Sequence, residues 1–162
     1  MANHRTNYVT DFSGQLTGDG SIHGRYMQRF LYGILIALAI VWAAPWTLLG
    51  CTLGVIGLLF GGSGQLRGRV LEFEGRFLAW LLTRAPLIGG AAAMTLGHCV
   101  IARTQDDLHR TRAHEFVHVQ QYERWGLLFV PAYFASSGWA WWRGKHPYWD
   151  NPFEREAYDK AP

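Results

Sequence analysis

The chain has 162 residues, enough for one compact domain and too few for two large ones. Hydrophobic residues make up 49% and charged residues only 17%, low for a soluble protein, and the 15% that are aromatic suit a membrane interface. A net charge of +3 without a lysine-rich run argues against nucleic-acid binding. Cys51 and Cys99, outside any CxxC spacing, read as small buried residues, not as a disulfide framework or metal ligands.

Residues 1–25 are polar and glycine-rich, a segment that cannot bury a core and is flexible by itself. No charge then appears between Arg29 and Arg67, and Phe30 to Phe60 is almost wholly apolar. This is a membrane signal, placed too far from the N-terminus for a usual cleaved leader. One straight helix over this run would be roughly 45 Å long, more than the ~30 Å core of a bilayer needs. Pro45 lies near its midpoint. The pattern predicts a hairpin of two short membrane helices, 26–44 and 46–62, with one long kinked span as the alternative. Arg25 and Arg29 before it, and Arg67, Arg69 and Arg76 after it, suit two ends on the same, cytoplasmic side.

Gly61-Gly62-Ser63-Gly64 reads as a hinge; no Gly-Lys-Ser/Thr follows to make it a phosphate loop. Arg69 to Glu74 alternates like a strand ending at Gly75, and Phe77 to Leu82 suits a short amphipathic helix broken before Pro86. Ala91 to Ala102 suits a buried strand. His98 within it reads as a hydrogen-bonded structural histidine and not as a metal ligand.

Thr104-Gln105-Asp106-Asp107 looks like a capped helix start with acids in the first turn, and Gly126 is a usual residue just past a helix end. Mid-helix stands His114-Glu115-Phe116-Val117-His118, an HExxH motif. Residues four apart share a helix face, so His114 and His118 can reach one metal ion, while Glu115 is placed to act as a general base on water. Two unpartnered histidines facing a core would be poorly satisfied, and a metal resolves that. Trp125 to Trp142 is a second uncharged run, bearing Pro131 and Gly138. At about 18 residues it could just span, but tryptophans at both ends favour an interfacial or re-entrant helix.

Catalytic zinc usually keeps three protein ligands, so a third must come from elsewhere in the chain. Asn151 as N-cap and Pro152 as first residue announce a last helix. Glu154 on it is either the third ligand or the acid of a capping box with Asn151, and HExxH upstream favours the ligand; Glu156 is the fallback.

HExxH followed by a glutamate on a later helix, with Ala157 three residues on, resembles the gluzincin branch of zinc metallopeptidases. It resembles in particular the membrane-bound CAAX prenyl protease group, with its Glu-x-x-Ala-Asp pattern. Glu154 matches the ligand glutamate and Ala157 the alanine, but Tyr158 stands where the family has an aspartate supporting a ligand histidine. The stretch from HEFVHVQQYERWGLLFVPAYF to NPFEREAY is also similar to a group of small bacterial membrane proteins. The resemblance implies an α+β fold: a mostly helical zincin-like domain with a small sheet over 63–162, behind the membrane hairpin. It implies Zn2+ on His114, His118 and Glu154, with Glu115 as general base and His146 or Tyr148 near the oxyanion. The strand before the HExxH helix would bind extended substrate by edge pairing.

Two functions follow as expectations. One is an integral-membrane zinc endopeptidase of the bacterial inner membrane, its soluble part cytoplasmic, cutting protein substrates near the lipid surface. The other is a non-catalytic subunit of a larger respiratory or photosynthetic membrane complex, contacting partners through the N-terminal tail and the Trp-rich segment while keeping a protease-like fold.

Overall fold

The computed structural model describes residues 20–84 and 90–161. The polar leader over 1–19 and Pro86, expected just beyond a short helix, lie outside the described residues. The chain divides into two units, Met1–Ile36 and Ala37–Pro162. The architecture is mixed α+β, with one long apolar helix followed by a four-stranded sheet and shorter helices.

Helix α1 (Gly20–Leu59) runs unbroken through Pro45, and Arg25–Leu59 within it is long and apolar enough to cross a membrane. The expected hairpin of helices 26–44 and 46–62 is absent. Pro45 removes one backbone donor, whereas a turn at Ala44-Pro45-Trp46 would expose the orphan groups of two helix ends in an apolar stretch. The single continuous helix is the cheaper solution. From Arg25 to Ile36 its side chains are exposed or, at Ile36, half-buried.

Within the second unit, the rest of α1 belongs to the core. Gly50 and Gly54 lie flat on the sheet: a Cβ at Gly50 would stand 2.7 Å from Cys99 Cβ, and one at Gly54 would enter the Phe73 ring. Glycine at these positions lets the helix backbone rest directly on side chains of the sheet.

The hinge expected at Gly61–Gly64 is in part a strand. β1 (Ser63–Arg67) and β2 (Val70–Glu74) form an antiparallel hairpin, turned at Gly68 with φ of 61°. Helix α2 (Arg76–Leu82) then carries the chain across, so that β2 pairs in parallel with β4 (Cys99–Ala102). The single strand expected over 91–102 is two: β3 (Ala93–Leu96) folds back on β4, turning at Gly97, where φ is 62°. The sheet order is β1-β2-β4-β3.

All four residues of β4 are buried, and their alternation divides two cores. Cys99 and Ile101 join Phe73, Leu78, Leu82 and Leu96 with Trp46 and Leu53 of α1. Val100 and Ala102 join Val70, Leu108 and Val119. Leu108 and Val119 lie on α3 (Gln105–Trp125), capped as expected by Thr104, which accepts from the Asp107 N–H. A single 3₁₀ turn, Gly126–Leu128, leads into α4 (Phe129–Trp142), and α5 (Pro152–Lys160) ends the fold. With 14 residues, α4 is about 21 Å long, short of a bilayer core. A third core of Tyr122, Phe129 and Phe153 ties α3, α4 and α5 together.

Candidate metal centre

The third core brings α5 alongside α3, and the contact sets the two HExxH histidines against Glu154. The Asn151 side chain caps α5 by accepting from the Phe153 N–H, and its amide also donates to the Tyr133 carbonyl and Ser137 Oγ of α4. Glu154, one turn in, therefore points at α3 and closes no capping box. Its Oε2 lies 3.2 Å from His114 Nε2 and its Oε1 lies 3.5 Å from His118 Nε2. The two Nε2 atoms are 3.1 Å apart. One ligand atom from each of the three residues thus falls within 4.8 Å of the others, the only such His/His/Glu grouping among the described residues.

The surroundings favour a cation at the centre of this triad. Glu154 is 3% exposed. Burial pushes its carboxyl up, but the His114 and His118 rings beside it, the His118 charge and the Tyr133 hydroxyl prevail and hold it well below the usual carboxylate range. Burial likewise pulls His118 down, but the Glu154 hydrogen bond and the charges of Glu115 and Glu154 prevail and raise it to about 9. Without a metal, a proton takes the place of the cation. Even so, His114 Nδ1 and Glu154 Oε2 remain buried without a hydrogen-bond partner. Two imidazoles and one carboxylate, one of whose oxygens is orphaned, fit a zinc donor set.

Glu115 lies outside the triad. It is 5% exposed, and Thr95 of β3 donates to its Oε2 at 2.7 Å, fixing the rotamer from the sheet's edge strand. Tyr148 stands at the rim, its hydroxyl 3.2 Å from that of Tyr158; burial first, then Tyr158 and Glu154, push its phenol well up. His146 does not join the site. It is exposed, and its Nδ1 accepts from the N–H groups of Tyr148 and Trp149, which closes the loop on itself. Glu156 is no substitute ligand: Arg124 and Lys160 engage its carboxylate, hold it down to about 2, and turn it to the surface. His98 is buried and lies 3.0 Å from Glu123 Oε1, a structural pairing as expected.

Three residues of the site had no signal in the sequence. Tyr133 of α4 donates to Glu154 Oε1 at 2.7 Å. Gln121 meets His118 Nδ1 at 2.8 Å. Thr95 holds Glu115. Tyr133 and Thr95 find their partners on other elements, and Gln121 one turn away on α3, and only the three-dimensional arrangement gives each its role. Tyr158, in the place of the gluzincin aspartate, lies with its ring centroid 4.5 Å from that of His114 and gives His114 Nδ1 no acceptor. No protein-family model, curated protein or solved structure matches the chain, so a functional reading rests on this geometry.

Proposed function

We propose that this protein is a membrane-anchored, zinc-dependent endopeptidase of gluzincin type. One observation carries the reading: one ligand atom each of His114, His118 and Glu154 converge within 4.8 Å, where the buried Glu154 Oε2 lacks a hydrogen-bond partner. Zinc, when bound, supplies Lewis acidity toward a carbonyl and activates water. The chain's own contribution starts with Glu115, which takes the proton from the attacking water and returns it to the leaving amine. Thr95 keeps that carboxylate in one rotamer, and Tyr133 does the same for Glu154. Tyr148, its phenol held neutral, serves as a hydrogen-bond donor to developing negative charge.

The membrane setting rests on α1, with α4 as an interfacial element. Trp46 of α1 donates to the Leu127 carbonyl at the start of α4, and Leu128, Phe134, Trp139, Trp141 and Trp142 leave aromatic and aliphatic surface uncovered. Substrates on this reading are protein segments close to a bacterial inner membrane.

The experiment is metal analysis of the detergent-purified chain beside His118→Ala and Glu154→Gln. One zinc per chain, lost at least about a hundredfold in affinity in both variants, is the expected result. Glu115→Gln should then retain zinc and lose peptide hydrolysis by about 10² or more. A wild-type chain that takes up no zinc when it is supplied defeats the proposal.

A second reading, a non-catalytic subunit of a membrane complex, draws on the missing acceptor for His114 Nδ1 and on the uncovered tryptophans. It calls for co-purifying partners over the Trp-rich segment and for a Glu115→Gln chain that still supports the assembly.

A further inference from the structure

The two histidines of the candidate centre are held very differently, and the difference lies in one buried amide. Gln121 is fully buried on α3, one turn past His118. Its Nε2 donates to the Phe153 carbonyl at 2.9 Å and to Glu156 Oε2 at 3.0 Å. Both partners can only accept, so chemistry settles which end of the amide is nitrogen. Oε1 must then face His118 Nδ1, 2.8 Å away, and an amide oxygen can meet that ring only where the ring carries a proton.

We infer that Gln121 is a positioning residue: it fixes the proton of His118 on Nδ1 and so leaves the Nε2 lone pair for a metal shared with His114 and Glu154. This rests on the zinc reading above. His114 is the built-in contrast, since its Nδ1 is buried with no acceptor and nothing dictates its tautomer. The amide is anchored in turn by α5, because Phe153 directly precedes Glu154 and Glu156 is clamped by Arg124 and Lys160. Docking of α5 thus delivers one ligand and sets the orientation of another in the same contact. The cost of losing such an outer partner is commonly 10- to 100-fold in metal affinity.

The test uses the full chain in detergent micelles, with zinc as the probe. Long-range nitrogen–proton NMR on histidine-labelled protein reads which ring nitrogen carries the proton, and competition with a chelator reads affinity. In the zinc-loaded wild type, His118 should show a proton on Nδ1 and the metal on Nε2. Gln121→Met, near in volume and without an acceptor, should lower zinc affinity about 10- to 100-fold and mix the His118 tautomers. Gln121→Glu, which restores the acceptor toward His118 while giving up the two bonds donated to Phe153 and Glu156, should return His118 to a single tautomer even where the α5 contact is weakened. A purely structural role would lower the melting temperature of the zinc-free Gln121→Met chain while leaving tautomer and affinity alone, and that result overturns the inference. So does a zinc-loaded wild type with the His118 proton on Nε2, whatever the variants do. A wild type that binds no zinc removes this inference and the peptidase proposal together; unaltered zinc affinity in Gln121→Met removes only the former.

Discussion

Helix α3 faces two buried carboxylates, and they have been handled in opposite ways. Glu72 of β2 is 1% exposed and fully matched. Arg112 grips it with Nε on Oε1 at 2.8 Å and Nη2 on Oε2 at 2.9 Å, and Gln65, its cross-strand neighbour, donates to Oε2 at 2.8 Å. Glu154 is nearly as buried but has been given two histidines and a tyrosine, and one of its oxygens stays without a hydrogen bond. Arg112 and His114 are two residues apart on the same helix, so they point to different sides of it. A closed ion pair holds sheet to helix and has no use for an ion. A carboxylate set against groups that can shed their protons suits the proposed ion.

Removing each carboxylate in turn tests this most strongly. Glu72→Ala strands a guanidinium that cannot deprotonate, and should cost about 3 kcal/mol of unfolding free energy while leaving zinc uptake intact. Glu154→Ala should cost the zinc-free chain clearly less, because His118 can give up its proton, and should abolish zinc uptake. Denaturant unfolding and metal analysis on both variants check the pair; equal losses of stability would erase the distinction. Next in size is the effect of the metal itself. Zinc at about a hundred times its dissociation constant should add ~2.7 kcal/mol, raising the melting temperature by roughly 5–10 °C, and chelation should reverse it. That shift should survive in the Glu72→Ala chain. The smallest effect sharpens the contrast from the other side. Tyr158→Asp offers His114 Nδ1 the carboxylate it lacks and should tighten zinc by about tenfold in competition titrations. No change there would mean that the His114 ring is already held well enough by its contact with Tyr158.

What could be read in the sequence followed from the range of the interaction. Thr104, Gly126, Asn151 and Pro152 mark helix ends through contacts within one turn, and the bounds of α3 and the start of α5 came out as expected. The spacing of His114 and His118 is likewise local. The choice between ligand and cap for Glu154 was not, since both uses need the same residue at the same position, and only the packing of α5 on α3 decides between them. His146 failed as a site residue for a similar reason: its ring is taken up by backbone two and three residues away. The apolar run misled most. Apolar side chains report dislike of water without saying whether lipid or a sheet replaces it, and Ala43, Gly50, Gly54 and Gly57 are buried while Leu48, Leu49 and Val55 are exposed. Gln121, Thr95 and Tyr133 carry no periodic or motif signal at all.

The glycine contact between α1 and the sheet has a practical corollary for anyone wishing to crystallise or assay the portion bearing the candidate site without detergent. Trimming the gene after the last apolar residue, near Phe60, would discard Trp46, Cys51 and Leu53 and uncover Phe73, Leu96 and Cys99. The product would precipitate for want of a missing wall, and a failed preparation could be mistaken for proof that the fold needs lipid. A cut at Ile36 leaves that wall standing, and solubility should then be sought by recolouring its outer positions, such as Leu48, Leu49 and Val55, with polar side chains.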